Sequence, residues 1–114
     1  MSDGYFLPQK DVTPIEMLPK VHRRTMGTTD EVMLCEFFFE VGATVPLHSH
    51  KNDQVGYIVS GQLELTIHGN VQILNPGDSY AVPGGIEHSA KALIDTILID
   101  AFSPPRNDYR TEAK

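Results

Sequence analysis

The chain has 114 residues, 40% of them hydrophobic and 21% charged, which is typical of one soluble globular domain with its own core. The formal net charge of −6 argues against a nucleic-acid surface, since Arg23-Arg24 is the only adjacent pair of Lys or Arg. No apolar run approaches the ~20 residues of a membrane-spanning helix, and the first ten residues lack the pattern of an export signal. We therefore expect a cytoplasmic protein without a membrane partner.

The N-terminal part of the sequence predicts an arm followed by a central strand. Three prolines punctuate residues 1–19, which we assign to the arm. Residues 31–40, EVMLCEFFFE, are rich in aromatic and branched side chains and predict a central strand. The single cysteine of the chain, Cys35, lies in this run. It agrees with a reducing compartment and is predicted to be a small buried hydrophobe.

The middle and C-terminal parts predict further short strands joined by tight turns. Leu63, Leu65 and Ile67 alternate with polar residues, which indicates a half-buried strand, and Gly69-Asn70 predicts a two-residue hairpin turn after it. Further strands are predicted at 71–74, 79–82, 87–93 and 95–102, separated by turns at 75–78 and 83–85. About eight such strands favour an all-β antiparallel sandwich or barrel. We expect one domain over residues 20–103 and a C-terminal tail over 104–114.

Two histidines suggest a metal site. His48 and His50 are two residues apart, so a strand places both imidazoles on the same face. Imidazole suits Zn, Fe, Ni and Cu. His88 follows the turn at 83–85, from which an antiparallel fold could bring it opposite this pair. Spacing alone also fits exposed histidines, and the isolated His22 and His68 are predicted to face solvent.

The last strand carries a lone carboxylate, Asp100, on the same face as Leu98 and Phe102. If this face points inward, burial raises the pKa of Asp100 and suits the carboxyl to general acid or base catalysis. If it points outward, Asp100 is a surface acid, and strand alternation does not decide between the two. Arg106 follows two prolines. Its guanidinium is suited to a bidentate hydrogen-bonded pair with a carboxylate, and the alternative is an ordinary surface charge.

The spacing of the glycines and prolines around the histidines resembles the paired motifs of the cupin family. The matching positions are Gly42, His48, His50, Gln54 and Gly61, and then Gly77, Pro83, Gly85 and His88. The resemblance implies a single-domain jelly-roll β-barrel with one metal ion held by the three histidines and residue 54. Gln54 stands where the family commonly has glutamate, and Ala92 where it often has asparagine.

The segments HSHKNDQ, GDSYAVPGGIEH and IDAFSPPRNDY are similar to KdgF-type cupins, which convert 4,5-unsaturated uronates from pectin or alginate to linear ketonised sugars. In that group three histidines and a glutamine bind the metal, matching His48, His50, His88 and Gln54, and alanine is usual at the position of Ala92. Activity in that group involves residues that match Asp100, Phe102 and Arg106. Because an amide both donates and accepts hydrogen bonds, we expect Gln54 to help orient the substrate as well. The resemblance thus implies an isomerising enzyme for a small anionic sugar acid.

Ligand chemistry leaves the metal open among Ni, Zn, Fe, Mn and Cu. Three imidazoles and an amide carry no charge, so a divalent ion would keep its full charge and act as a stronger Lewis acid. Two other functions stay open: a cupin dioxygenase, and a non-catalytic module that binds a sugar or small acid. The apolar residues 31–40 are suited to a shared face, so we expect a homodimer.

Overall fold

The structure is a computed structural model that describes residues 5–110. Ten strands and two short 3-10 turns make up its regular elements. The strands are β1 (Ile15–Leu18), β2 (Val21–Thr28), β3 (Met33–Phe39), β4 (Thr44–His48), β5 (Asp53–Ser60), β6 (Leu63–Ile67), β7 (Asn70–Leu74), β8 (Ser79–Val82), β9 (His88–Ala92) and β10 (Thr96–Ser103). The 3-10 turns span Gln9–Asp11 and Asn107–Tyr109. No helix within residues 5–110 is long and apolar enough to span a membrane.

The strands form two antiparallel sheets. One has six strands in the order β1-β2-β3-β10-β5-β8, and the other has four in the order β4-β9-β6-β7. The predicted all-β jelly roll is confirmed. Within residues 5–110, no strand pairing joins the two sheets, so they are not closed into one hydrogen-bonded barrel. The core lies between them, around Ile58, Leu63, Leu98 and Phe102.

The predicted central strand is present as β3, which lies between β2 and β10. Its alternate residues Met33, Cys35, Phe37 and Phe39 are buried in the core. Burial raises the pKa of Cys35 to about 11, so the thiol stays protonated at neutral pH. The prediction of a small buried hydrophobe at this position is confirmed.

The hairpin between β6 and β7 lies one residue earlier than predicted. Ile67 pairs with Asn70, so the two turn residues are His68 and Gly69 and not Gly69-Asn70. Their φ angles are 50° and 82°, the positive values that a type I′ turn requires at both central positions. Asn70 is therefore free to begin β7, while His68 is exposed as predicted.

Both terminal segments contact the main body. Strand β1, inside the segment assigned to the arm, pairs with β2. After β10 and a cis Ser103–Pro104 bond, the chain turns back across one end of the sheets. Asn52 Nδ2 donates to the Pro104 carbonyl at 2.6 Å, and Thr25 Oγ1 donates to the Tyr109 carbonyl at 2.6 Å. The ends of the predicted arm and tail, 1–4 and 111–114, lie outside the described residues.

Candidate active site

The fold brings the three predicted histidines together. His48 ends β4 and His88 begins β9, and the antiparallel pairing of these strands sets the two residues opposite each other. Their ring centroids are 4.2 Å apart, and that of His50 lies 5.0 Å from His88 and 5.8 Å from His48. One ring nitrogen from each histidine lies within 4.8 Å of the other two.

Backbone carbonyls orient all three rings in the same way. Each Nδ1 lies 2.9–3.0 Å from the carbonyl oxygen of a residue two positions away. The pairs are His48 with Pro46, His50 with Asn52, and His88 with Ile86. Because a carbonyl only accepts, Nδ1 carries the proton and Nε2 of each neutral ring keeps a lone pair.

The Nε2 atoms of the three rings lie close together, and one of them has no hydrogen-bond donor. His88 Nε2 is buried and has no hydrogen-bond partner. Burial, as the largest cause, lowers the pKa of both His50 and His88, which favours their neutral form. Such a set of lone pairs fits a divalent cation, and the contacts at Nδ1 are of the kind that orients metal-binding histidines.

Gln54 completes this group from the opposite sheet. Its side chain, on β5, is buried, and Oε1 lies 3.0 Å from His50 Nε2. Its Nε2 donates to Asp100 Oδ2 at 3.0 Å, which fixes the amide with its oxygen toward the histidines. Two acceptors thus face each other, an arrangement that a cation between them would stabilise. A glutamate here would place a second carboxylate against Asp100, whereas glutamine supplies a donor.

Asp100 points inward, so the buried alternative holds. It is 4% exposed, and burial raises its pKa to about 7 despite two hydrogen bonds that lower it. One comes from Gln54, and the other is donated by the Tyr80 hydroxyl to Asp100 Oδ1. Sequence reasoning missed Tyr80, although it shares a strand face with the buried Val82. Tyr80, Asp100, Gln54 and His50 therefore form a continuous polar chain.

A glycine makes this polar chain possible. Gly56 on β5 is the strand neighbour of both Asp100 and Tyr80. A Cβ at this position would lie 2.2 Å from Asp100 Oδ1 and 2.2 Å from the Tyr80 ring. Any other residue would therefore force apart the two side chains that meet over it.

The polar chain opens on a cavity of about 360 Å³ between the sheets. The walls are mostly apolar, and a few polar side chains converge on them, as is usual for a small-molecule site. These include His48, Gln54, Tyr80, His88, Asp100 and Arg106. Phe102 also lines the cavity, with its ring centroid 5.8 Å from that of His50.

Arg106 lines the cavity on the segment that follows β10. Its guanidinium lies 5.5 Å from the Phe102 ring centroid and 4.0 Å from that of Tyr109. Arg106 Nη1 donates to the Tyr109 hydroxyl at 2.9 Å, and Nη2 donates to Asp108 Oδ2 at 3.1 Å. Tyr109, which also lines the cavity, was not identified from sequence because nothing in the irregular tail indicates its direction.

A second group of possible ligands lies on the outer face of the six-stranded sheet. Glu16, His22 and Glu40 have ligand atoms within 4.8 Å of one another. His22 Nε2 lies 2.8 Å from Glu40 Oε2, and Glu16 Oε2 accepts from the Lys20 amide at 3.0 Å. His22, predicted to face solvent, is half-buried and stacks on Phe38 with ring centroids 5.8 Å apart.

Comparison with known proteins agrees with this architecture. Residues 35–98, more than half of the chain, match the cupin domain. The chain belongs to the cupin family. This cupin is 34% identical over 108 residues to the pectin degradation protein KdgF of Dickeya dadantii, a match that covers 92% of this chain and 96% of the relative. That similarity places it with the KdgF proteins.

Two solved cupin structures are similar over nearly the whole chain. KdgF from a Halomonas species superposes with a TM-score of 0.88 and 33% identity, over 92% of this chain and 97% of that one. An RmlC-like cupin from Shewanella frigidimarina has a TM-score of 0.90 and 31% identity, over 93% and 96%. The similarity to these two structures therefore extends beyond the central motif region into the segments on either side of it.

Proposed function

We propose that this cupin converts 4,5-unsaturated uronates to linear ketonised sugars, as a metal-dependent enzyme of pectin or alginate breakdown. The observation that carries the proposal is the polar chain from Tyr80 through Asp100 and Gln54 to His50, which borders a cavity that also holds Arg106. A relative named as a pectin degradation protein supports the same substrate class.

The reaction is an isomerisation and needs no co-reactant. The proton on the anomeric hydroxyl leaves as C1=O forms and the bond from C1 to the ring oxygen breaks. The ring oxygen becomes the C5 ketone, and the electrons of the C4–C5 double bond take up a proton at C4. One proton is removed and one is added, so the step requires a proton carrier beside the ring.

Asp100 is the proposed proton carrier. Burial raises its pKa to about 7, so the carboxyl is suited both to release and to accept a proton near neutral pH. Tyr80 and Gln54 hold its two oxygens by hydrogen bonds. Arg106 would bind the substrate carboxylate, and Phe102, whose ring is close to both Arg106 and His50, would orient the ring of the substrate.

His48, His50, His88 and Gln54 would hold the divalent ion. Bound there, it would act as a Lewis acid that stabilises negative charge on a substrate oxygen. The ligand set accepts Ni, Zn, Fe, Mn or Cu. We further propose that residues 1–19 form an N-terminal arm, that residues 20–103 form the catalytic cupin domain, and that the C-terminal tail, 104–114, covers the opening of its cavity.

The test follows the ultraviolet absorbance of the conjugated enol ether in a purified 4,5-unsaturated uronate. We expect the wild type to deplete it and Asp100→Asn to be slower by about 10²-fold or more. Asp30→Asn, at an exposed position, is the matched control and should keep the wild-type rate. Equal rates in the wild type and Asp100→Asn would contradict the assignment.

Two other results would replace the proposal. Oxygen uptake with an aromatic or keto acid, without uronate turnover, would indicate a dioxygenase. Tight uronate binding without loss of absorbance would indicate a non-catalytic binding module.

We also propose that two copies pair through the outer face of the six-stranded sheet. Leu34, Val55 and Tyr57 are exposed there, and Ala101 pairs with both Leu34 and Val55. The outward positions of 34–38, 97–101 and 55–59 include a single charged residue, so two such faces meet without strong repulsion despite the net charge of −6. Sedimentation should give a dimer for the wild type and a monomer for Val55→Arg.

A further inference from the structure

One buried arginine has no role in the reaction as described. Arg23 on β2 is 6% exposed, and its Nε is buried without a hydrogen-bond partner. Among residues 5–110, no carboxylate forms an ion pair with it. Its neighbour Arg24 points the other way and pairs with Glu36 at 3.1 Å. Because burial of a guanidinium without a carboxylate partner is destabilising, its position calls for an explanation.

The Arg23 guanidinium packs on the Tyr109 ring. Its carbon lies 4.5 Å from the ring centroid, within the range of a cation–π contact. Tyr109 is fixed at two further points: its carbonyl accepts from Thr25 Oγ1 at 2.6 Å, and its ring meets Phe102 edge-on at 5.5 Å. Arg23 therefore helps to hold an aromatic side chain that lines the cavity.

The same ring holds Arg106. The Arg106 guanidinium lies 4.0 Å from the Tyr109 centroid, and its Nη1 donates to the Tyr109 hydroxyl. A free arginine side chain samples many rotamers, and ordering it when a ligand binds costs conformational entropy. A guanidinium that is already stacked and hydrogen-bonded loses less freedom when it meets an anion.

We propose that Arg23 and Tyr109 are positioning residues, which hold the Arg106 guanidinium at the cavity in the orientation that receives the substrate's carboxylate. The inference rests on the proposed function for the role of Arg106 as the carboxylate-binding group. Arg23 packs on the Tyr109 ring and so holds Tyr109 in place. Tyr109 in turn orients Arg106 through its ring and its hydroxyl.

A double-mutant cycle tests the link between Tyr109 and Arg106. Tyr109→Phe keeps the ring and removes the hydrogen bond, so we expect KM for an unsaturated uronate to rise about five- to tenfold with kcat within about twofold. In an Arg106→Lys background the same change should have little further effect, because the guanidinium it orients is gone. Additive losses would overturn the proposal.

Two neighbouring arginines provide the matched pair for Arg23. Arg23→Lys keeps the charge and removes the planar stack on Tyr109, so KM should rise about two- to fivefold. Arg24→Lys changes an arginine that faces away from the cavity and should leave KM unchanged. Equal KM values for the two variants would overturn the role of Arg23.

A readout without turnover separates this inference from the proposed function. The ring current of Tyr109 should shift the side-chain Nε–H resonances of Arg23 and Arg106 in a nitrogen–proton NMR spectrum. Both should move to ordinary positions in Tyr109→Leu and stay shifted in Arg24→Lys. Failure of the wild type to deplete uronate, with these shifts present, contradicts the proposed function and leaves the positioning intact. Unshifted resonances in an active wild type overturn the positioning.

Discussion

Two groups of three possible metal ligands each have their ligand atoms close together, and they differ in the hydrogen-bond partners of those atoms. The inner group is His48, His50 and His88, and the outer group is Glu16, His22 and Glu40, each with ligand atoms within 4.8 Å of one another. In the outer group, the His22 imidazole is bound to Glu40, and Glu16 accepts from a backbone amide. In the inner group, Nδ1 of each ring donates to a carbonyl, His50 Nε2 faces the Gln54 amide oxygen, and the buried His88 Nε2 has no hydrogen-bond partner.

The comparison shows that distance between ligand atoms does not by itself distinguish a metal site from an ion pair. An imidazole whose second nitrogen faces a carboxylate already has its partner. Three neutral imidazoles and an amide oxygen that point at one another are destabilising unless a cation lies between them. The inner group is therefore the candidate metal centre, and the following experiments test that distinction from the largest expected effect to the smallest.

Removal of a ligand should separate the two groups most strongly. We expect His88→Ala to weaken divalent-metal affinity by at least about 100-fold, because it removes one of four ligands. His22→Ala, in the outer group, should leave the affinity within about twofold of the wild type. Calorimetric titration with Ni²⁺ and Zn²⁺ measures both. An equal loss of metal affinity in the two variants would contradict the assignment of the metal to the inner group.

The inner group also depends on the polar chain behind it. Gly56→Ala would place a Cβ 2.2 Å from Asp100 Oδ1 and the Tyr80 ring, so we expect a loss of about 1–3 kcal/mol in the free energy of unfolding. Gly27→Ala is the matched control, since nothing lies within 4 Å of a Cβ there, and should change stability by less than about 0.5 kcal/mol. Urea unfolding of the metal-free proteins measures both. A Gly56→Ala variant as stable as the wild type would show that Asp100 and Tyr80 do not meet over this glycine.

The strand pattern predicted the all-β fold, because period-two alternation and turn residues are local properties of the sequence. The meeting of the three histidines was predicted by the cupin-like spacing of glycines and prolines around them, since the histidine spacing alone also fits exposed side chains. The direction of Asp100 was not decided by the strand pattern, since every strand has two faces. It follows from the register of β10 with β3, a long-range pairing that sets Asp100 beside the buried Cys35. The hairpin at His68-Gly69 was misplaced by one residue because both the predicted and the observed pairs contain a glycine and a tolerant polar residue.

The side chains that sequence missed act across long separations in the chain. Tyr80 donates to Asp100 from a strand two positions away in the sheet, over a glycine that no local pattern distinguishes from a turn residue. Arg23 and Tyr109 meet because an irregular tail folds back over β2. Such contacts depend on the path of a loop, which hydrophobic periodicity does not encode.

The identity of the fourth ligand sharpens the comparison, because it sets the charge of the inner group. Gln54→Glu should bind a divalent ion about tenfold more tightly and slow turnover by at least about tenfold. The added carboxylate reduces the net charge at the ion, and Asp100 loses the amide that donates to it. Gln62→Glu, whose amide donates to the exposed Asn75, is the control for the added charge alone. An unchanged rate in Gln54→Glu would show that a neutral ligand is not required.

The smallest effect is expected in the outer group. His22 and Glu40 have side chains 25% and 44% exposed, so solvent screens their 2.8 Å contact. A double-mutant cycle with His22→Gln and Glu40→Gln should give a coupling of about 0.2–1 kcal/mol in unfolding free energy at neutral pH. Metal affinity and uronate turnover should stay at wild-type values throughout, because this pair lies on the outer face of the sheet, away from the cavity. A coupling that appeared only when Zn²⁺ was added would instead show that the outer carboxylates and imidazole bind the ion together. Short distances between the ligand atoms would then be enough to form a metal site.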